Sequence, residues 1–459
     1  MKDNTSNIDR VMQIRLQNVG IVTEAKVALS GITVIAGPNK SGKSTIGRAL
    51  MAYGTLLRRM DELVHNRRLT LFAEQLGEQT GLSEFYKTRL NRMFEYNDLS
   101  DDVLSLDFWN DKEKVARIAT MIFSRPSSRL FRSIQQESVN ELIEKFSKLE
   151  LSGISKILDN IMGQNENALI RDIMDIHFRK VFVEQINSLY SPENEARIEF
   201  LGNVFKTEES WIRFINNHLI ENSNNINFQF PKILYLEPMH LLDFACNLFY
   251  RYNDRWSNII DDDDDCSWEN IMQPTFAPKE DISLEDKQDI EKLIVEIKSI
   301  LGGELDVKDG RLQFKESSFP TQAKGVELEN LASGMKSMTA ILKALDCCVL
   351  RHGRILVIDE PESNLHPEWQ VKFAFVLVHL WTMLGVRVVV ATHSPYFLKG
   401  LENSAAQLNC LDNMSCYFMQ SDNDGKGMVA KDVTNRLNEV YKSFFDPLNN
   451  LMAGNGRES

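Results

Sequence analysis

The residues that most constrain this fold are a glycine-rich loop between an apolar strand and a helix. Ile32 to Ala36 form an apolar run of strand length, and Gly37-Pro38-Asn39-Lys40-Ser41-Gly42-Lys43-Ser44 follows at once. A helix is predicted from about Lys43 to Leu57. The loop fits the pattern GxxxxGK[ST], in which glycines let backbone N–H groups turn inward around phosphate oxygens at a helix N-terminus.

The polar side chains of this loop predict a site for ATP and Mg²⁺. Lys43 is placed to reach the β- and γ-phosphates as a catalytic residue, and the Ser44 hydroxyl is placed to bind Mg²⁺. The alternative is a chance glycine-rich turn, which the strand-loop-helix context disfavours. The predicted nucleotide-binding residues here are Gly37, Pro38, Asn39, Lys40, Ser41, Gly42, Lys43, Ser44 and Thr45.

A second apolar strand ends in two adjacent carboxylates. Ile355 to Ile358 are apolar, and Asp359 and Glu360 follow them. An acid at a strand tip can hold magnesium through water, so we predict that Asp359 shares the metal with Ser44. Glu360 is the predicted general base that polarises the attacking water. An ordinary acidic strand exit is the alternative, and the phosphate loop upstream argues against it.

A third strand ends in a polar triplet. Arg387 to Ala391 precede Thr392-His393-Ser394, and such a position faces the ligand crevice of an open α/β sheet. We predict that His393 contacts the γ-phosphate and positions the water; the alternative is a structural surface histidine. A serine-hydrolase interpretation of Ser394 is discounted because the sequence has no GxSxG elbow.

A fourth motif precedes an apolar helix predicted from about Ser337 to Leu350. In Leu331 to Lys336, the small residues Ser333 and Gly334 stand where a helix N-terminus would offer a second anion-binding surface. By itself, this pattern fits a simple helix N-cap equally well.

Composition limits the class of protein. The hydrophobic share is 43% and the charged share 25%, as in globular proteins. Lys and Arg number 52 against 65 Asp and Glu, so the net charge of −13 excludes a uniformly basic coat for nucleic acid but not a local basic groove. The six cysteines show neither CxxC pairs nor zinc-ligand spacing. Without a signal peptide or membrane span in the pattern, we expect a soluble cytoplasmic protein.

A chain of 459 residues allows about three domains, or one large domain with an insertion. Apolar residues in the middle keep helical spacing, as at Val139 and Leu142, and strand patterns are weak there. We therefore predict an α/β head with a mixed β-sheet and helices, formed by residues 1–58 and 230–459, and a mainly helical insertion over 59–229.

Two charge clusters leave alternatives open. The arginines of the insertion form either a solvated face balanced by nearby acids or a groove for nucleic acid or a partner. The five aspartates Asp261 to Asp265 are interpreted as a solvated loop, because contiguous carboxylates cannot all face one ion. The arginines in question are Arg58, Arg59, Arg67, Arg68, Arg89, Arg92, Arg125, Arg129 and Arg132.

Two local patterns are predicted in the second half of the chain. Ser283 and Asp286 resemble a capping box at the start of a helix that ends at Gly302. Glu304 to Lys308 and Arg311 to Lys315 flank an Asp-Gly pair and predict a β-hairpin.

In this order, the four motifs resemble the ATP-binding-cassette (ABC) head of the SMC, Rad50 and RecF type. Ser363 to His366 resemble its D-loop, and His393 its switch histidine. The sequences of Glu360 to Gln370 and of Ala391 to Leu398 resemble those of the bacterial OLD-like group (AAA_15 and AAA_21). This group includes stand-alone ATPases of antiphage systems such as Septu and PARIS. The resemblance implies an ABC-type P-loop NTPase head and covers about the first 54 residues and Lys232 onward.

The resemblance also implies partners. Two heads would sandwich two ATP molecules, with Ser333 and Gly334 acting in trans and Asn364 near the seam, in a homodimer or a higher homo-oligomer. About 60 residues follow His393, too few for a nuclease domain, so a separate HNH or Toprim nuclease effector is expected. Direct nucleic-acid binding stays open, no membrane partner is expected, and the alternative is a RecF-like repair ATPase that clamps duplex DNA.

The sequence departs from the family in three places. Ala332 stands where the signature usually has a phosphate-contacting serine, and Lys40 where a neutral polar residue is common. A Q-loop glutamine is not identifiable near Glu237 and Pro238. These departures imply slow turnover, or a switch that holds ATP.

Overall fold

The structure is a computed structural model in which the chain divides into two compact units. One unit comprises Met1–Arg58 with Ile176–Ser459, and the other comprises Arg59–Asp175. The structure describes residues 12–58, 60–79, 81, 104, 150–190, 195–201, 210–223, 230–236, 271, 282–308, 311–318, 325–331, 333–422 and 425–452.

The described strands form one large sheet and one small sheet. The large sheet has 11 strands in the order β6-β5-β4-β1-β2-β14-β13-β3-β12-β11-β7, and the small sheet has the order β10-β9-β8. The strands are β1 (Met12–Val19), β2 (Val22–Leu29), β3 (Ile32–Ala36), β4 (Ala196–Leu201), β5 (Ser210–Ile215), β6 (His218–Asn222), β7 (Ile233–Leu236), β8 (Gly303–Lys308), β9 (Arg311–Glu316), β10 (Val326–Glu327), β11 (Ile355–Asp359), β12 (Arg387–Thr392), β13 (Met414–Ser421) and β14 (Met428–Asp432).

Nine α-helices lie in the described part of the chain. Among them, none is long and apolar enough to cross a membrane. They are α1 (Lys43–Arg58), α2 (Met60–Gln79), α3 (Leu151–Met162), α4 (Glu166–Val181), α5 (Leu284–Leu301), α6 (Ser333–Asp346), α7 (Pro367–Leu384), α8 (Pro395–Gln407) and α9 (Leu437–Met452).

The large sheet combines a parallel core with antiparallel strands. Strands β13, β3, β12, β11 and β7 run parallel to one another, whereas β6, β5, β4, β1 and β2 pair antiparallel. The core strands β3 and β11 are buried at every residue, because parallel strands are covered on both faces and therefore consist of continuous apolar runs. The predicted α/β class with a mixed sheet is confirmed.

Several predicted local elements are confirmed. The Ser283 hydroxyl accepts from the Asp286 N–H at the start of α5, and Gly302 ends this helix with φ of +68°. Strands β8 and β9 pair in the predicted hairpin, with Lys308 opposite Arg311, while the turn residues 309–310 lie outside the described ranges. Helix α6 begins at Ser333, four residues earlier than predicted.

The prediction of a helical insertion over 59–229 is wrong for 196–222. Strands β4, β5 and β6 lie there and extend the large sheet beside β1, with Arg15 opposite Glu199. In β5, Ile212 and Phe214 are buried while Arg213 between them is partly exposed. This alternation of period two is the signature of a strand with one covered face, and the helical interpretation overlooked it.

The second unit is described at its helices α2 and α3 and the first part of α4. The Arg67 guanidinium pairs there with the Asp172 carboxylate at 2.6 Å, as expected for a solvated, acid-balanced arginine. Most of the arginine cluster, the helical pattern at Val139 and the aspartate run at 261–265 lie outside the described residues.

Gly54→Ala is expected to destabilise the first unit. An added Cβ at Gly54, inside α1, would lie 2.6 Å from Ile233 Cδ1 and 2.8 Å from Phe230 Cε1. Such overpacking costs about 1–3 kcal/mol, against a gain of roughly 1 kcal/mol for alanine in a helix. The free energy of unfolding, measured by urea denaturation, should fall by about 1 kcal/mol.

Gly153→Ala is the matched control. Its Cβ would meet only the end of the flexible Gln79 side chain, at 3.2 Å. This variant should be as stable as the wild type or more so. Equal stability of Gly54→Ala and the wild type would contradict the packing argument.

Candidate functional site

Three strand ends bring the predicted site residues to one edge of the large sheet. Strand β12 pairs with β3, with Thr392 opposite Ala36, and β11 pairs with β12, with Asp359 opposite Ala391. Because these strands are parallel, the loops that follow them leave the sheet side by side. The phosphate loop, the Asp359-Glu360 pair and His393 are therefore neighbours.

The phosphate loop needs its glycines. Gly42 has φ of +85°, and an added Cβ there would lie 2.7 Å from Val22 Cγ2. At Gly37 an added Cβ would lie 2.9 Å from both Met419 Cβ and Ser41 Oγ. A side chain at either position would collide with these neighbours, so the observed loop conformation requires glycine at both.

The middle of the loop faces solvent, whereas its ends are anchored. Pro38, Asn39 and Lys40 are exposed, and Lys40 adopts φ of +63°. The Gly37 N–H donates to the Thr392 carbonyl at 3.2 Å, so the loop is tied to the strand end that precedes His393. The middle of the loop is therefore accessible to a ligand, while the start of the loop is fixed to the sheet.

Lys43 turns back onto the loop. Its Nζ donates to the carbonyls of Gly37 at 3.0 Å and Pro38 at 2.8 Å, and it lies 4.0 Å from Glu360 Oε1. The side chain is 4% exposed, and burial lowers the pKa of Lys43, an effect opposed by the carboxylates of Glu360, Asp359 and Glu362. Lys43 is therefore a buried, positively charged hydrogen-bond donor with carboxylates close to it.

The hydroxyl side chains of the loop are placed for an anion or a hydrated cation. Ser41 Oγ is buried without a hydrogen-bond partner, and buried hydroxyls ordinarily have one. Ser44 and Thr45 stand half-buried in the first turn of α1, whose first N–H groups lack intrahelical acceptors. This donor set fits a triphosphate, and the Ser44 hydroxyl with the buried Asp359 carboxylate at the end of β11 offers the oxygen ligands that Mg²⁺ prefers.

Glu360 follows the strand in an unusual conformation. Its φ is +48°, its N–H donates to the Ala391 carbonyl at 2.8 Å, and its side chain is half-exposed. Its Oε1 lies 3.3 Å from His393 Nδ1. The structure thus brings the three predicted catalytic residues Lys43, Glu360 and His393 together.

A further carboxylate, Glu362, was not predicted. Its Oε1 accepts from the Thr392 hydroxyl and from the His393 N–H, both at 2.7 Å, and lies 3.2 Å from His393 Nδ1. Burial raises the pKa of Glu362, while these hydrogen bonds act in the opposite direction. An acid two residues after Glu360 was the available sequence signal, but a solvated turn explains it equally well.

Gln370 and Ser394 extend this network. The Ser394 hydroxyl donates to Gln370 Oε1 at 2.6 Å, and Gln370 Nε2 donates to the Leu365 carbonyl at 2.9 Å. Ser394 also caps α8 by accepting from the Phe397 N–H. The polar triplet after β12 is therefore held by hydrogen bonds on two sides.

The structure shows the predicted trans residues only in part. Asn364 is exposed with φ of +59°. Within the described ranges, no hydrogen bond or ion pair joins Asn364 to Lys43, Glu360 or His393. Ser333 and Gly334 begin α6. Ala332, Glu237 and Pro238 lie outside the described residues.

The sequence matches a family of ATPases. The AAA_15 family model, described as AAA ATPase domain, matches residues 10–398. No curated protein matches the chain.

Solved structures of ATPase heads are also similar to this chain. The SMC head domain from Thermotoga maritima has 10% identity and a TM-score of 0.36, over 92% of this chain and 99% of that one. An Smc head domain from Pyrococcus furiosus, bound to the C-terminal domain of ScpA, has 12% identity and a TM-score of 0.39, over 95% and 99%. RecF of the RecFOR pathway has 9% identity and a TM-score of 0.33, over 92% and 98%.

Proposed function

The chain belongs to the AAA_15 family of AAA ATPase domains, and we propose that it binds MgATP at residues 37–45 and hydrolyses it. The observation that carries this proposal is the meeting of Lys43, Glu360 and His393 at one sheet edge, with Glu360 Oε1 within 4.0 Å of Lys43 Nζ and 3.3 Å of His393 Nδ1. A cation for phosphate, a base for water and a switch side chain are the parts that phosphoryl transfer needs.

Each residue has a distinct role in this proposal. Lys43 leaves the Gly37 and Pro38 carbonyls and binds the β- and γ-phosphates. Glu360 accepts a proton from the attacking water as general base, and His393 orients that water against the γ-phosphate. Ser44 and Asp359 would hold Mg²⁺, which would supply positive charge to offset the negative charge of the phosphates.

The site is completed by a second copy in this proposal. Ser333 and Gly334 at the start of α6 bind the phosphates of the partner's nucleotide, and Asn364 lies at the seam. The exposed position of Asn364 in a turn after the base and the anion affinity of a helix N-terminus support this assignment. ATP then joins two heads, and hydrolysis separates them.

At the level of biology, we propose a cytoplasmic regulatory ATPase of a bacterial antiphage complex. ATP-dependent dimerisation would hold or release a separate nuclease of the HNH or Toprim type. The likeness of Glu360 to Gln370 to stand-alone antiphage ATPases supports this role, and the net charge of −13 suits a protein partner.

Purification from the native cells tests this role. The complex is weighed by native mass spectrometry with and without ATP, and the cells are challenged with phage in the presence of the wild-type or the Lys43→Ala chain. We expect a stable nuclease partner and a loss of protection with Lys43→Ala. A bare ATP-dependent dimer that retards duplex DNA would replace this proposal with the DNA-clamping alternative.

A further inference from the structure

We propose that Glu362 is a positioning residue for hydrolysis, which acts by fixing the backbone at His393. This inference rests on the proposed ATPase function. Its basis is one carboxylate oxygen, Oε1, that faces the Thr392 hydroxyl, the His393 N–H and the His393 Nδ1 at 2.7, 2.7 and 3.2 Å.

The burial of Glu362 is not explained by stability. Its side chain is 3% exposed, and its second oxygen, Oε2, is buried without a hydrogen-bond partner. A buried carboxylate with one unsatisfied oxygen contributes little net stability, because desolvation offsets its hydrogen bonds. What it does achieve is a fixed position for the first residues after β12.

The ring of His393 lies close to two carboxylates without a hydrogen bond from Nδ1 to either. Nδ1 of His393 lies 3.3 Å from Glu360 Oε1 and 3.2 Å from Glu362 Oε1. Nδ1 makes no hydrogen bond to either oxygen, so the contact that holds His393 is the bond from its backbone N–H to Glu362 Oε1 at 2.7 Å.

Ser394, at the start of α8, is held by two hydrogen bonds, and only the first of them shares a group, the Thr392 hydroxyl, with Glu362. The Ser394 N–H donates to the Thr392 hydroxyl at 3.1 Å, and the Ser394 hydroxyl donates to Gln370 at 2.6 Å. These bonds anchor the start of α8. Loss of the Glu362 oxygen should therefore release His393 without unfolding the helix that follows.

The test compares three substitutions of Glu362 in steady-state ATP hydrolysis. Glu362→Met keeps the volume but removes the acceptor, and Glu362→Asp keeps the charge but withdraws the oxygen by one methylene group. Both should lower kcat about 10- to 100-fold, since small misplacements at a reacting centre have effects of this size. Glu362→Gln keeps an acceptor and should stay within about threefold of the wild-type kcat. KM and the Kd for ATP should change less than about threefold in all three.

A double-mutant cycle with His393→Ala separates positioning from a general structural role. In the His393→Ala background, Glu362→Asp should lower kcat no further, because its effect passes through the missing side chain. An equal further loss in that background, or a Gln variant as damaged as the Asp variant, would overturn the inference. If Glu362→Met does not fold, the Asp and Gln variants decide. A wild-type protein without ATPase activity would instead refute the proposed function.

Discussion

Lys43→Ala is expected to weaken ATP binding at least about a hundredfold and to abolish measurable hydrolysis. Hydrogen bonds to charged groups contribute about 1.5–3 kcal/mol each, and a lysine that reaches two phosphates makes at least two. The structure strengthens this expectation, because Lys43 Nζ is the cation beside Glu360. Without it, the γ-phosphate would meet the nearby carboxylates uncompensated.

Isothermal titration with ATP and a phosphate-release assay measure this effect, and Lys40→Asn is the matched control. Lys40 is exposed with φ of +63°, a conformation that asparagine tolerates, so this variant removes a charge without straining the loop. Its ATP affinity should stay within about threefold of the wild type, because the proposed loop binds phosphate through backbone N–H groups, which asparagine keeps, and an exposed side-chain charge contributes little. ATP affinity in Lys43→Ala that equals that of Lys40→Asn would refute the placement of Lys43 at the phosphates.

The parts of the site that could be predicted from the sequence are those whose functional residues lie next to one another in the chain. The phosphate loop contains its own glycines, lysine and serine, and β3 and β11 are recognisable as largely apolar runs. Lys43, Glu360 and His393 each follow a predicted strand, and their motifs predicted a common nucleotide site; the parallel pairing of β3, β12 and β11 brings these strand ends to one edge.

The parts that could not be predicted depend on contacts between distant residues. Glu362 and Gln370 resemble solvated polar residues in the sequence, and only the packing of β12 beside β11 turns them inward onto Thr392 and Ser394. The return of Lys43 onto the Gly37 carbonyl is likewise a property of the folded loop.

The strands β4 to β6 were missed for a different reason. They are short, and the buried apolar residues of each strand lie on a single face. The weak alternation of apolar and polar residues in these strands is easily overlooked, because the residues before them in the chain show a stronger helical spacing. Pairing with β1, rather than intrinsic preference, fixes them in the sheet.

Glu360→Gln is expected to lower kcat about 10²- to 10⁴-fold, the range for loss of a general base. ATP binding should persist, because glutamine has nearly the same shape and the backbone bond from residue 360 to the Ala391 carbonyl, 2.8 Å in the wild type, does not involve the side chain. The substitution also removes the negative charge 4.0 Å from Lys43 Nζ, which should leave ATP affinity unchanged or higher.

The variant should therefore accumulate as an ATP-bound dimer, because the nucleotide that joins two heads is no longer consumed. Light scattering after gel filtration in MgATP would show a mass near twice that of the 52.7 kDa chain, whereas the wild type should return to the monomer as ATP is used. Glu368→Gln is the control: this carboxylate lies exposed at the start of α7 and pairs with Lys372, so its kcat should equal that of the wild type. Hydrolysis by Glu360→Gln at the wild-type rate would show that another group is the base. A low kcat without a trapped dimer would support the base but refute dimerisation through ATP.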